Sequence, residues 1–187
     1  MAKYFPLFID ISKKTFLVVG AGNISARRVL KLKEFGCKII VVAKTISATI
    51  MDLEDEKLIL KERAYDSTDI EDADYVIAAT NDKELNEKIV WDCNKEGIPV
   101  NDASNYKNCD FYFPGIVTED EMVIGVTSSG SNHKLARRVA GAIRYNIKEI
   151  VSECKKELES DTEENICLEP EDSEQMRISE IWCVRPE

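Results

Sequence analysis

One stretch, Phe16-Leu-Val-Val-Gly20-Ala-Gly22, limits what this chain can fold into more than any other. A short β-branched run ending in glycine reads as a buried strand. From Ala21 to about Phe35, Ile24, Val29, Leu30, Leu32 and Phe35 recur on one broad helical face, and Gly36 then stops the helix. Each residue of the turn has a use. Gly20 allows a tight bend, and Gly22 leaves the backbone bare for a diphosphate. The helix opening at Asn23 and Ile24 adds free N–H donors and a partial positive charge. Ser25 fills the third glycine position and is small enough for close helix–strand packing. The pattern predicts dinucleotide binding at Gly20, Gly22, Asn23 and Ile24; a tight strand-to-helix turn without a ligand is the other reading.

The same rhythm repeats downstream. Cys37–Ala43, Leu58–Arg63 and Asp74–Thr80 read as further strands, Asp82–Glu96 as a helix, and Gly97–Asn101 as a short fifth strand. Strand–helix–strand at this spacing is the signature of parallel βαβ units, with right-handed crossovers putting helices on both faces of the sheet. Pro99 suits a strand start or an edge.

The pattern changes after Asp110. Phe111–Val117 and Met122–Thr127 flank Thr118-Glu-Asp-Glu121 and read as a β-hairpin. A Ser/Gly stretch, Ser128–Asn132, leads into a long helix from about Asn132 to Glu159, with Leu135, Val139, Ala142, Ile143, Ile147 and Ile150 on one face. So small a module cannot hide its own apolar surface, which predicts a homodimer built through residues 111–150. The expected class is α/β: a Rossmann-like doubly wound parallel sheet over residues 1–113, a small α+β dimerisation and substrate module over 114–150, and a helical, acidic C-terminal tail over 151–187. The acidic part of that tail is expected to be solvated, and its Ile178–Val184 group to dock on the body.

Charge and cysteines narrow the function. Of 35 acids and 25 bases, residues 151–187 hold 12 acids and 4 bases, so the tail carries most of the net charge of −10. That balance argues against general nucleic-acid binding, which rests on phosphate neutralisation. No apolar run approaches a membrane span, and the first ten residues lack the apolar core of an export signal, so a cytoplasmic address is expected. The six cysteines show no zinc-ligand spacing. They are read as reduced, those of the body as small apolar fillers, and no metal site is assigned.

The ends of the remaining strands hold further candidates. An acid about 20 residues beyond the glycine loop ordinarily binds the adenosine ribose, but the second strand ends Val42-Ala43-Lys44-Thr45. Backbone and hydroxyl contacts would then serve, or Lys44 would favour a 2′-phosphate, leaving NAD against NADP open. At the fourth strand, Thr80 and Asn81 would lie beside the nicotinamide half, and Asn81-Asp82 also reads as the cap of the next helix.

At this point the chain resembles the NAD-dependent precorrin-2 dehydrogenases, including those joined to sirohydrochlorin ferrochelatase in sirohaem synthesis. The resemblance spans about residues 4–145. It rests on Tyr4–Asp10, Val18-Val-Gly-Ala-Gly22, Val41-Val-Ala43, Val76-Ile-Ala-Ala-Thr-Asn-Asp82, Leu85-Asn86, Gly97–Asn101, Cys109-Asp-Phe-Tyr-Phe-Pro114 and Leu135-Ala-Arg-Arg138. It implies oxidation of precorrin-2, a tetrapyrrole rich in carboxylates, to sirohydrochlorin with NAD⁺, in a dimer whose second domain swaps across the two-fold. It also implies cofactor contacts at Gly22, Asn23, Ala43 and Lys44.

Two departures from the family pattern matter. The family carries an Asp implicated in catalysis between Asn101 and Phe111; counting back from Phe111, Ser104 fills that slot here, and Asp102 stands two residues earlier. In an extended chain Asp102 would point to the same side, roughly 6–7 Å away, so Asp102 and Ser104 are the catalytic candidates. A turn cap within Asn101-Asp-Ala-Ser-Asn105 is the other reading of Asp102. Second, the family commonly has Ser-Pro where this chain has Asn132-His133. His133, the only histidine, reads either as a proton acceptor or metal ligand or as a solvated residue of the first helical turn. Ser128 matches a serine of the family's loop, where a phosphate would add charge beside the substrate. Lys134, Arg137 and Arg138, at i, i+3 and i+4, put three cations on one helix face, suited to a polycarboxylate; a solvated face neutralised by the tail is the alternative. The leading function is therefore NAD-dependent oxidation of precorrin-2. A chelatase or bifunctional enzyme comes next, with Ser104 weighing against it, and a non-catalytic NAD-sensing dimer comes last.

Overall fold

The computed structural model describes residues 4–53, 55–128 and 132–165, with side chains to residue 160. The tail group at Ile178–Val184, Cys167 and Cys183 lie outside the described residues. The chain forms two compact units, one running to Pro114 and including Thr127–Asn132, the other made of Gly115–Val126 and the helix from His133.

In the first unit, β1 (Thr15–Val19), β2 (Lys38–Ala43), β3 (Leu58–Glu62), β4 (Tyr75–Ala78) and β5 (Val100–Asp102) make one sheet in the order β3-β2-β1-β4-β5. Every pairing is parallel. Strands buried on both faces need continuous apolar sequence, and Leu17-Val-Val and Ile39-Ile-Val-Val supply it. One face is covered by α1 (Asn23–Lys33) and α2 (Ala48–Met51), over a core of Val18, Val29, Leu32, Val41, Ile50 and Ile77. The other face is covered by α3 (Lys83–Glu96) and a 3-10 turn at Ser67–Ile70, over Leu17, Val42, Val76, Ile89 and Val100. This is the doubly wound α/β sheet expected from the sequence. The chain leaves β1 and β4 on opposite faces, so a crevice opens at their C-terminal ends.

Three local expectations are corrected. Helix α1 begins at Asn23, because Ala21 and Gly22 belong to the turn. Its buried side is Ser25, Ala26, Val29 and Leu32, while Ile24 and Leu30 stay exposed: this close to the sheet, small residues pack better than long ones. Gly97 does not start β5. It ends α3 at φ 70°, its amide bonding the Asn94 and Cys93 carbonyls, and Ile98 N–H bonds Cys93 O at 3.0 Å, a left-handed helix stop.

In the second unit, β6 (Gly115–Glu119) and β7 (Met122–Val126) form an antiparallel hairpin beside α4 (His133–Asn165). Val117, Ala140 and Ile147 are its buried centre, with Ile124, Val126, Ile143 and Val151 around them. A Cβ on Gly115 would sit 2.9 Å from the Ala140 Cβ, so glycine lets strand and helix touch. Arg144 donates to Ile116 O at 2.9 Å, and Lys155 pairs with Asp120 at 2.7 Å. The apolar stripe of α4 is wider than the hairpin covers. Ile143 and Ile147 face it, whereas Leu135, Val139, Ala142 and Ile150 remain exposed.

Candidate coenzyme and substrate site

The crevice is built around Gly20. Its amide donates to Val42 O at 2.9 Å and the next strand bonds in turn through Ala79 N–H to Val19 O at 2.8 Å, so the ends of β2, β1 and β4 are drawn together. Gly20 adopts φ 105°, and a Cβ there would lie 2.4 Å from Ala79 O. No other residue type fits without moving β4. Gly22 sits just before α1 at φ −85°, and a Cβ there would meet nothing within 4 Å. Among the described residues its bareness serves no packing need. The helix geometry leaves the amides of Asn23, Ile24 and Ser25 without intrahelical partners. Their N-cap, Gly22, has no side chain to cap them, and no acid stands in that first turn. Helix α3 differs, since Asp82 accepts from Leu85 N–H at 3.1 Å and closes its N-terminus. A bare glycine, open space and an uncapped positive helix end fit the diphosphate of a dinucleotide.

Beside this turn, β2 ends at half-buried Ala43 and exposed Lys44. On the other side, Thr80 is held by Asn86, which is fully buried. The Asn86 Oδ1 accepts from Thr80 N–H at 3.2 Å and lies 2.7 Å from the Thr80 hydroxyl, and its Nδ2 donates to Thr80 O and to Ser104 Oγ, each at 3.2 Å. Asn81 is exposed at the rim. Asp102 closes β5. Its Oδ1 accepts from Ser104 N–H at 2.8 Å, Ser104 Oγ at 2.6 Å and Asn105 N–H at 3.2 Å, and its Oδ2 from Asn108 Nδ2 at 3.1 Å. The two catalytic candidates are thus in contact, and the carboxylate is taken up by its own loop. A chain of side chains, Thr80–Asn86–Ser104–Asp102–Asn108, ties the ends of β4 and β5 to α3.

Sequence reading missed Asn86 as the centre of that chain, although it lies within the quoted family motif. It also missed Arg28. The Arg28 guanidinium lies 5.2 Å over the Phe113 ring, and one of its nitrogens is buried without a hydrogen-bond partner. Burial pushes this guanidinium down from its ordinary range; Cys109 pulls it up, Arg27 pushes it down, and Asp102 pulls it up.

Ser128 accepts from Asn132 N–H at 3.0 Å at the end of the first unit. The other substrate candidates belong to the second unit, where His133, Lys134, Arg137 and Arg138 are exposed on the first two turns of α4. Lys134, Arg137 and Arg138 have no acidic partner among the described residues. Among those residues, no three His, Cys, Asp or Glu side chains gather as a metal site, and no helix is long and apolar enough to cross a membrane.

Residues 7–115 match the family model described as "Putative NAD(P)-binding". The chain belongs to this NAD(P)-binding family. Its relatives include the "Probable multifunctional siroheme biosynthesis protein HemA" of Ruminiclostridium josui, 44% identical over 142 residues, which are 75% of this chain and 28% of the relative. The "Siroheme synthase" of Methylococcus capsulatus is 32% identical over 137 residues, 73% of this chain and 29% of that protein. The chain spans under a third of these relatives' length. Among solved structures, "SirC, precorrin-2 dehydrogenase" superposes with a TM-score of 0.64 at 27% identity, covering 76% of this chain and 71% of the other. These matches bear out the resemblance to the precorrin-2 dehydrogenases and siroheme synthases, and the family's NAD(P) binding gives the chain its ligand class, a nicotinamide dinucleotide.

Proposed function

We propose that this protein is an NAD-dependent dehydrogenase that oxidises precorrin-2 to sirohydrochlorin, the reaction named for its structural relative. One observation carries the reading: the uncapped N-terminus of α1 beneath the bare Gly20–Gly22 turn, in a chain of this family. When bound, NAD⁺ supplies the hydride acceptor. The amides of Asn23, Ile24 and Ser25 hold its diphosphate, and the backbone at Ala43 and Lys44 flanks its adenosine half. Thr80, fixed through Asn86, and the neighbouring exposed Asn81 border its nicotinamide half. Orientation is the main demand of such a transfer, which suits a rim pinned by buried hydrogen bonds. The lost proton goes to solvent. Asp102 and Ser104 hold the loop after β5 rather than act as the base, because four donors already occupy the Asp102 carboxylate.

Lys134, Arg137 and Arg138, at helical spacing and without an acidic partner among the described residues, take carboxylates of the macrocycle, with His133 and Ser128 as further polar contacts. The stripe of Leu135, Val139 and Ile150 on α4, exposed among the described residues together with Met122 and Val123 of the hairpin, supports a homodimer formed through the second unit. Purified protein mixed with precorrin-2 and NAD⁺ should form NADH in step with sirohydrochlorin. Well-folded protein that forms neither would overturn the reading.

A further inference from the structure

The ordinary ribose-binding acid is missing from the end of β2, and the sheet register shows what stands in its place. Ala43, 21 residues beyond Gly22, is paired with Glu62, the last residue of β3. Paired residues of neighbouring parallel strands sit about 4.8 Å apart with their side chains on the same face. Ala43 and Leu58 both pack into the core beneath α1. Glu62, four residues after Leu58, therefore shares that face, at the C-terminal edge of the sheet where the dinucleotide crevice opens.

Its neighbours leave it alone there. Lys61 and Arg63, the cations on either side of it in sequence, both bind Asp69, on the 3-10 turn that packs against the opposite face. Glu62 is exposed, and its side chain makes no ion pair or hydrogen bond among the described residues. A second polar group is unused at the same corner: Ser47, four residues after Ala43 at the start of α2, keeps a buried hydroxyl with no partner. The glycine turn is tied to this corner by the Gly20 N–H to Val42 O bond. A diphosphate over β1 thus brings its adenosine ribose outward over β2, toward β3.

We infer that Glu62 binds the 2′- and 3′-hydroxyls of the adenosine ribose, doing from β3 what an acid at the end of β2 ordinarily does. The assignment rests on the nicotinamide-dinucleotide reading above. A carboxylate there accepts hydrogen bonds from a free diol and repels a 2′-phosphate, so Glu62 selects NAD⁺ over NADP⁺, and Lys44 does not reverse that choice.

Isothermal titration of NAD⁺ and of NADP⁺ into the full chain and into Glu62→Gln and Glu62→Lys tests this without any turnover. The wild-type chain should bind NAD⁺ at least about tenfold more tightly than NADP⁺. Glu62→Gln should lose about tenfold in NAD⁺ affinity, the worth of a hydrogen bond to a charged group, and much of the discrimination. Glu62→Lys should prefer NADP⁺. Exposure of the site means both variants should melt with the wild type. Wild-type preference for NADP⁺, or Glu62→Gln binding both coenzymes as the wild type does, would overturn the role of Glu62 while leaving the coenzyme reading intact. A folded wild-type chain that binds neither would overturn both.

Discussion

Two glycines two residues apart are there for different reasons, and alanine substitution separates them. Gly20→Ala meets a carbonyl at 2.4 Å with a positive φ, so it should destabilise the fold by about 3 kcal/mol and lower the midpoint of thermal unfolding. Gly22→Ala adds a methyl in open space. Its stability should stay within about 0.5 kcal/mol of wild type, while NAD⁺ affinity falls at least about tenfold because the methyl occupies the diphosphate's approach. The tight bend at Gly20 was legible in the sequence, since strand, turn and helix came in the right order, and the same order is what proposes a diphosphate site at Gly22. The environment of Asp102 was not legible: which donors a carboxylate meets depends on how the following loop folds back, and residue spacing left both cap and catalyst open. Asp69 was unreadable for the same reason. Burial pushes its carboxyl up, and the Arg63 hydrogen bond, the Asp66 amide, the Arg63 charge and Lys61 outweigh that and hold it below the usual carboxylate range. Asp74, bound to Lys14 and Thr15 N–H, is also held low. Groups with depressed native pKa values bind fewer protons folded than unfolded, so their stabilisation is present above about pH 4 and is lost as pH falls through the native values. Denaturant unfolding across pH 2–6 should show that loss, and Asp69→Asn should be less stable at pH 7 by about 2 kcal/mol and lose less on acidification.

At the scale of elements, β1, β2, β4 and α3 could be read because apolar run length, helical period and stop signals agree there. Helix α1 was read with Val29 and Leu32 on its buried side, as they are, but with Ile24 and Leu30 beside them, because both fit the period while the sheet's closeness selects Ser25 and Ala26. Strand β5 was read too early, because Gly97 serves as a helix stop. What joins these elements at the crevice is Asn86 of α3, whose side chain bonds Thr80 after β4 and Ser104 after β5. Asn86→Ala leaves the Thr80 amide and the Ser104 hydroxyl short of a partner. It should cost about 2–3 kcal/mol and weaken NAD⁺ binding, read by thermal melts with and without coenzyme. Asn86→Asp keeps the acceptor but loses the two donations, and should fall between wild type and Asn86→Ala.

For the whole molecule, the proposed dimer and the proposed substrate contact both fall on α4, which carries cations without an acidic partner among the described residues and an exposed apolar stripe. Sedimentation should give twice the monomer mass at micromolar concentration. The double variant Leu135→Glu, Val139→Glu should sediment as a monomer with its first unit still folded; an unchanged dimer would move the interface elsewhere. The account as a whole depends on backbone amides at the Gly20–Gly22 turn holding a diphosphate. Equilibrium dialysis of labelled NAD⁺ against wild type and Gly22→Ala, both shown folded by circular dichroism, tests this most directly. One coenzyme retained per wild-type chain and little by Gly22→Ala is the expected result. Equal retention by the two, or none by the wild type, would contradict it.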